Sequence, residues 1–163
     1  MEIERLRLSD ALLAVMRSAA GKAVRSREPF VTPRALLLAL LEDDGVGPAL
    51  APVIDAERLA SLAPQRIDMS GVARLPDDAL DPGESPAFAR YDTLAFKVPG
   101  ALESAWLNKE ALQIFLEGAQ RADERYEPKH LALGFAAEAV RQPGVLAAIR
   151  VEPGRLADAV YAL

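Results

Sequence analysis

One helical pattern occurs twice along this 163-residue chain, and the repetition limits the folds open to it more than any other feature. Each copy reads as a long helix with an apolar stripe, a second helix that begins at a proline, and two short helices. Pro33 in the first copy matches Pro128 in the second, and Gly45-Val46 matches Gly144-Val145. Because one copy is too small to close its own core, we expect the two to pack together as an all-α, eight-helix bundle of two pseudo-symmetric four-helix repeats.

Caps and apolar spacing define the two main helices of the first copy. Ser9 is a favoured N-cap residue, and apolar residues from Leu12 to Ala23 keep the i, i+3, i+4, i+7 spacing of one buried face. They predict a helix over about 10–25. Thr32-Pro33 predicts a second helix, with Thr32 as N-cap and proline at the first helical position. The uninterrupted apolar run 35–41 indicates that this second helix is buried on all sides.

The second copy repeats these signals. Asn108 is the expected N-cap of its long helix, and Glu127-Pro128 begins its second, apolar helix. The predicted buried stripe of the long helix comprises Leu112, Phe115, Leu116, Ala119 and Ala122. Short helices are expected near Pro48, Asp55, Val145 and Pro153, the last of them burying Leu156, Val160 and Leu163.

A long connection separates the repeats, which we place at about 8–63 and 107–163 of a single domain. Residues 64–106 are rich in proline, and the stretch between Pro76 and Pro86 carries four acidic residues and no basic one. This composition is typical of an acidic linking segment. Part of it fits a short hairpin in which 94–98 pairs with 72–75.

Composition excludes several functional classes. The chain has no cysteine and one histidine, His130, which rules out disulfides, thiolate zinc sites and a cysteine nucleophile, and leaves no set of histidines for a metal. We therefore expect no metal and no cofactor. The net charge of −5 argues against nucleic acid as a partner. The longest apolar run is far shorter than a membrane helix requires, and the first residues lack a signal-peptide pattern, so we expect a soluble, cytoplasmic protein.

No motif indicates catalysis. Ala20-Gly21-Lys22 resembles the end of a phosphate-binding loop, but Met16 stands where that loop requires glycine, and the segment reads as helix. An ATPase, if one is needed, would be another chain. His130 could act as a general base, yet the sequence supplies neither an orienting partner nor a nucleophile, and we interpret it as structural. We therefore expect no enzymatic activity. A hydrolase that uses His130 is the least favoured of the functional hypotheses.

The sequence resembles the Clp N-terminal domain, the double four-helix repeat at the front of Clp-type AAA+ unfoldases. The resemblance rests on Ser9-Asp-Ala-Leu-Leu, the apolar helix from Val31 to Leu41, Gly45-Val46, and the segment Glu127-Pro-Lys-His-Leu-Ala-Leu-Gly134. That last segment keeps the His-Leu-x-Leu-Gly part of the family's string Gly-Thr-Glu-His-Leu-Leu-Leu-Gly-Leu. The similarity covers about residues 8–62 and 107–163.

The resemblance implies a module that docks adaptors, protein substrates or peptide tails and passes them to an ATPase ring. Some members bind phosphoarginine through the carboxylate of that string together with a hydroxyl that caps the first helix. The corresponding cap positions here are Ser9 and Asn108, and the carboxylate positions are held by Arg34 and Lys129. A cation repels a guanidinium, so this sequence departs from phosphoarginine binding by the family's mechanism.

Two functions follow from these residues. The first is a non-catalytic module, monomeric or weakly dimeric, that recruits protein substrates or adaptors to a Clp-type AAA+ unfoldase or competes for them. The alternative is a small-molecule or anion sensor, because a basic residue beside a helix N-terminus favours a carboxylate or phosphate. The bland interpretation of Arg34 and Lys129, which lone cations usually fit, is that both are solvated surface residues. The candidate partner- or anion-binding residues are Ser9, Thr32, Arg34, Asn108 and Lys129.

Overall fold

A computed structural model describes residues 7–28, 30–62 and 107–163. The described residues form eight helices and one pair of very short strands, so the predicted all-α bundle is confirmed. The expected connection 64–106 and its hairpin lie outside them. In chain order the elements are β1 (Arg7–Leu8), α1 (Asp10–Arg25), α2 (Pro33–Leu41), α3 (Gly47–Leu50), α4 (Ala56–Ala60), α5 (Lys109–Ala119), β2 (Arg125–Tyr126), α6 (Pro128–Arg141), α7 (Gly144–Ala148) and α8 (Pro153–Tyr161).

The long helices begin where the capping residues predict. The Ser9 hydroxyl accepts a hydrogen bond from the Leu12 amide at 3.1 Å, and the Asn108 side-chain carbonyl accepts one from the Ala111 amide at 2.9 Å. Each bond satisfies one amide of a first helical turn that has no partner within the helix. Thr32 does occupy the N-cap position of α2, but its hydroxyl makes no cap bond and points elsewhere.

Short backbone pairings, which the sequence did not predict, join the two repeats. β1 pairs in parallel with β2, and Val31 forms an isolated parallel bridge with Leu107. These contacts are equivalent in the two copies. The Ser9 amide donates to the Tyr126 carbonyl at 2.9 Å, and the Asn108 amide donates to the Val31 carbonyl at 3.1 Å. In both, the N-cap of one repeat's long helix is tied to the residue two before the helix-starting proline of the other repeat.

The core runs through both repeats as a single cluster, with α1 packed on α2, α5 on α6, and α8 on α6. The predicted stripe of α5 is partly wrong. Phe115 and Ala119 are buried, but Leu112 and Leu116 are only half-buried, and Ile114 is buried instead. The face is rotated because α5 approaches α6 most closely through Gly118.

The predicted burial of the last helix is also corrected at one position. Leu156 and Val160 are buried, but Leu163 is 62% exposed, because α8 ends at Tyr161 and the chain leaves the core there. Within the described ranges, no helix combines the length and the apolar character that crossing a bilayer requires.

Candidate functional site

A groove of about 640 Å³ lies between α1 and the start of α6, and we call it the α1–α6 groove. One wall is the exposed side of α1, the opposite wall is the first turn of α6, and the turn that follows α2 closes one end. The lining residues are Ala11, Ala14, Val15 and Ser18 of α1, Ala39 of α2, the turn 42–46, Glu127, Pro128 and Lys129 at the start of α6, and Leu163.

The floor and the rim of this groove differ in chemistry. The floor is made of small apolar side chains, chiefly those of Ala11, Ala14 and Ala39. The rim carries four carboxylates, three of them in the consecutive run Glu42–Asp44 and the fourth on Glu127, whereas its single lining cation is Lys129. Such a surface attracts positive charge and accepts small apolar groups beneath it.

Glu42 is held in its charged form at the α1 side of the rim. The Lys22 ammonium donates to one of its carboxylate oxygens at 2.5 Å, and the Ser18 hydroxyl donates to the other at 2.9 Å. The hydrogen bond from Lys22 is the main reason that the pKa of Glu42 lies below its ordinary value, and partial burial opposes this shift. Glu42 is therefore ionised at neutral pH and tied to α1.

The neighbouring acids shape the turn. One oxygen of the Asp43 carboxylate accepts hydrogen bonds from the amides of Gly45, at 3.0 Å, and Val46, at 2.8 Å. These bonds fix the turn after α2 and leave the next residue, Asp44, exposed. Among the described residues no cation pairs with Asp44, so its charge is available to a ligand.

The α6 side of the groove is organised by a hydrogen bond at the helix start. The His130 ring accepts, through Nδ1, a hydrogen bond of 3.0 Å from the Glu127 amide. Desolvation is the largest cause of the lowered pKa of His130, and the neighbouring Lys129 charge adds to it. A neutral imidazole that caps a helix in this way suits a structural role. Lys129 is half-exposed and lies 3.5 Å from a Glu127 carboxylate oxygen.

The equivalent region of the second repeat, which we call the α5–α2 groove, is divided into two small cavities. Their volumes are about 110 and 190 Å³, and both are lined by Pro33, Glu110, Gly144 and Val145. Arg34 lines the larger of them but does not project into solvent as a free cation. Its guanidinium donates to the Leu59 carbonyl at 3.2 Å, the Ala60 carbonyl at 2.8 Å and the Glu28 carboxylate at 3.1 Å.

Glu28 completes this arrangement. Its side chain is only 3% exposed, and it accepts from the Thr32 hydroxyl at 3.1 Å as well as from Arg34. This buried carboxylate explains why Thr32 does not cap α2. The solvated interpretation of Arg34 is therefore wrong, because Arg34 joins the start of α2 to the end of α4 and is 18% exposed.

Three of the five candidate residues from the sequence line the grooves, and the other two are helix caps. Lys129 lines the α1–α6 groove, Thr32 and Arg34 line the α5–α2 groove, and Ser9 and Asn108 use their side chains to cap α1 and α5. Sequence reasoning overlooked the acidic turn 42–44 as a functional feature. A usable signal was present, because the matching run of the second repeat reads Arg141-Gln142-Pro143 and carries no acid.

Comparisons with known proteins agree with this architecture. No family model matches the sequence, and no curated protein matches it. A solved structure does match: the N-terminal domain of ClpD, a caseinolytic-protease-associated chaperone from Arabidopsis thaliana. The two are 14% identical with a TM-score of 0.58, and the match covers 99% of this chain and 96% of that one. The chain therefore has a Clp N-terminal domain-like fold, as the sequence resemblance implied.

Proposed function

We propose that this chain is a non-catalytic protein-binding module that holds a segment of a partner protein in the α1–α6 groove. Its partners would be substrates or adaptors of a Clp-type AAA+ ATPase, which it recruits to that ATPase or competes for. The observation that carries the proposal is the groove itself, about 640 Å³ in volume, with an apolar floor and a charged rim. Concave sites of this kind are the usual place for a ligand.

The groups around the groove support binding rather than catalysis. Ser18 is bonded to Glu42, which superficially resembles a nucleophile with its base. A carboxylate whose pKa is lowered by Lys22 is, however, a weak base for a hydroxyl. His130 uses Nδ1 to cap α6, and its lowered pKa keeps the ring neutral. The described groove thus offers charged and apolar contacts but no activated nucleophile.

The alternative function, an anion sensor at the helix starts, has weaker support. Arg34 already directs its donors to two carbonyls and a buried carboxylate, and Lys129 lies near Glu127. Anion binding by Ser9, Thr32, Arg34, Asn108 and Lys129 stays a prediction. A thermal-shift titration with phosphate and with phosphoarginine tests it, and the sensor function requires the melting temperature to rise with ligand concentration.

Nuclear magnetic resonance mapping tests the docking function directly. An isotope-labelled chain is titrated with a permanently unfolded model protein, and the amide shifts are followed. We expect shifts to concentrate on the groove lining, at Ala11, Ala14 and Asp44. Uniform shifts, or shifts restricted to α7 and α8, would place binding elsewhere and contradict the proposal.

A pair of matched variants makes the same test by obstruction. Ala14 is an exposed lining residue of the α1–α6 groove, and Ala148 is an exposed lining residue of the α5–α2 groove. Ala14→Trp fills the first groove and should abolish the mapped binding. Ala148→Trp adds the same bulk to the second and should leave binding intact. Equal loss in both variants, with both chains folded, would refute the assignment to the α1–α6 groove.

A further inference from the structure

We infer that the α1–α6 groove selects an extended segment that combines basic side chains with small apolar ones, and that each chain holds one such segment. The inference rests on the proposed docking function and adds to it the chemistry of the partner and the number of sites. It depends on three observations: the charge of the rim, the size of the floor side chains, and the smaller cavities of the equivalent groove in the second repeat.

The charge of the rim favours a cationic partner. Glu42, Asp43, Asp44 and Glu127 bring four carboxylates to the groove, against the ammonium groups of Lys129 and of Lys22, which is bonded to Glu42. The lining groups alone, four carboxylates and Lys129, carry a net charge of −3, and Lys22 and Arg25 of α1 offset part of it at Glu42. A partner segment with acidic side chains is repelled by this rim, whereas Lys or Arg side chains are attracted to it. Asp44 is the strongest single contributor, because it is exposed and the described residues give it no cation.

The floor sets the size of the apolar groups. Ala11, Ala14 and Ala39 line it with single methyl groups, and Val15 adds only a short branched chain. A floor of this kind gives a broad, shallow apolar surface that accepts small aliphatic side chains from a segment lying along α1. Because neighbouring side chains of an extended segment point to opposite sides, its basic residues can reach the rim while its small residues face the floor.

The equivalent region of the second repeat differs in its side chains and its size, although carboxylates line it too, those of Glu28, Glu110 and Glu138. At the position equivalent to Ser18, nine residues after the N-cap, it carries Glu117, which is 7% exposed and forms ion pairs with Arg121 and Arg141. At the position of Lys129 it carries Arg34, which is bonded to Glu28 and to α4. The region is left with cavities of about 110 and 190 Å³. The first repeat therefore offers one groove of about 640 Å³ for a segment, and the second offers two smaller cavities instead.

Fluorescence anisotropy with three labelled peptides tests the chemistry. The peptides have equal length and alternate Ala and Val with Lys, with Gln or with Glu. We expect the Lys peptide to bind with a stoichiometry of one per chain, the Gln peptide to bind roughly tenfold more weakly, and the Glu peptide not to bind measurably. Affinity for the Lys peptide should fall as salt is raised, because salt screens exposed charges.

Two variants with the same charge change sharpen the test. Asp44→Lys reverses the exposed rim charge and should weaken the Lys peptide by roughly fivefold or more, in line with the loss of surface ion pairing. Asp158→Lys makes the same change at an exposed position in the middle of α8, which does not line the groove, and should leave the affinity within about twofold. Circular dichroism melting shows whether each variant is folded.

The outcomes separate this inference from the proposed function. If the Gln and Glu peptides bind as well as the Lys peptide and Ala14→Trp abolishes all three, the docking groove stands and the selection of basic segments is wrong. If the Lys peptide binds equally to wild type and Asp44→Lys, the rim does not select it and the inference fails. A stoichiometry of two overturns the single-site claim. Binding that Ala14→Trp leaves unchanged contradicts the proposed function as well.

Discussion

The two repeats share one backbone plan but fill it with different side chains. In repeat one, Ala19 and Ala39 lie where α1 meets α2, and Val31 is the residue two before the proline. The equivalent positions in repeat two are Gly118, Gly134 and Tyr126. The fully buried Tyr126 hydroxyl donates to the Phe115 carbonyl at 2.7 Å and occupies the space that a Cβ at Gly118 would need. A larger residue before α6 is thus compensated by smaller residues within the helices, which keeps the packed volume nearly constant.

The two grooves also differ in their side chains rather than in their backbone. In repeat one the positions around the groove hold Ser18 and the acidic turn 42–44, and the space stays open. In repeat two the equivalent positions hold Glu117, which is ion-paired with Arg121 and Arg141, and Arg34, which is bonded to Glu28, and the cavities there are about 110 and 190 Å³. At the buried positions the two repeats exchange large and small side chains of similar total volume. Around the grooves the equivalent side chains differ in charge and in their partners. The two repeats therefore share a backbone scaffold, whereas the side chains around their grooves, and the volumes of those grooves, differ.

Replacing Gly134 of repeat two should destabilise the fold more than any other single change considered. A Cβ on Gly134 would collide with the Ile114 carbonyl oxygen and would lie 2.7 Å from the Gly118 nitrogen, both of them backbone atoms that cannot rotate away. Gly134→Ala should therefore force α5 and α6 apart and lower the free energy of unfolding by about 3 kcal/mol or more. Urea denaturation followed by circular dichroism measures this loss.

The reciprocal change in repeat one is the matched control. Ala39→Gly removes a buried methyl and adds the conformational cost of glycine in a helix, so it should cost only about 1–2 kcal/mol. Should Gly134→Ala prove as mild as Ala39→Gly, the close approach of α5 and α6 would not be the feature that distinguishes the repeats.

The two cations at the helix starts, Arg34 and Lys129, should contribute unequally to the free energy of unfolding. Arg34→Ala leaves the carboxylate of Glu28, 3% exposed, without its ion pair, and removes the donor to two α4 carbonyls. We expect a loss of about 2–3 kcal/mol in unfolding free energy, somewhat less than for a fully buried pair because Arg34 is 18% exposed. Thermal and urea denaturation provide the measurement.

Lys129→Ala is the equivalent change in repeat two. Both members of its pair are about half-exposed, so the loss should stay below about 0.5 kcal/mol. Adding Glu28→Gln to Arg34→Ala removes the stranded charge and should restore part of the stability. If Arg34→Ala and Lys129→Ala were equally mild, Arg34 would not be an internal tie beside the α5–α2 groove.

Local signals account for what the sequence predicted of the fold. The bounds of α1 follow from Ser9 and the apolar stripe, and the starts of α2 and α6 follow from their prolines, because capping chemistry acts within one turn. The strands β1 and β2 were missed, since two residues carry no periodicity. The rotation of the α5 face was missed because it depends on where α6 lies, which no spacing within α5 records.

The candidate site was predictable only in outline. The helix-start positions, including Lys129 and Arg34, came from the repeat and the family resemblance. The contacts that distinguish those two residues did not, because Arg34 reaches carbonyls at Leu59 and Ala60, about 25 positions along the chain. The acidic turn 42–44 reads locally as a helix end. Its position on a groove rim depends on the packing of α1 against the start of α6, which is a tertiary property.

A smaller effect tests whether the two N-caps are equivalent. Ser9→Ala and Asn108→Ala each remove the side-chain acceptor for one helical amide, at 3.1 and 2.9 Å respectively. Each should lower the free energy of unfolding by about 1 kcal/mol. Because the two side chains cap different helices, their losses should add in the double variant. Losses that differ by more than about 1 kcal/mol would show that the pseudo-symmetric caps do not contribute alike.

His130 of repeat two matches Ala35 of repeat one, so only repeat two carries a titratable side chain at this position. Burial lowers the pKa of His130 in the folded chain below its ordinary value of 6.5, so the unfolded chain takes up this proton at a higher pH than the folded chain. Stability is therefore fully present above about pH 6.5 and declines as pH falls toward the folded-state pKa. His130→Ala removes both the Nδ1 acceptor for the Glu127 amide and this titration. We expect a loss of under about 1 kcal/mol at pH 8, smaller still at pH 5.5, with the difference read from urea denaturation at both pH values. A loss that grew on acidification would mean that protonation stabilises the start of α6, and that His130 does not cap the helix as a neutral ring.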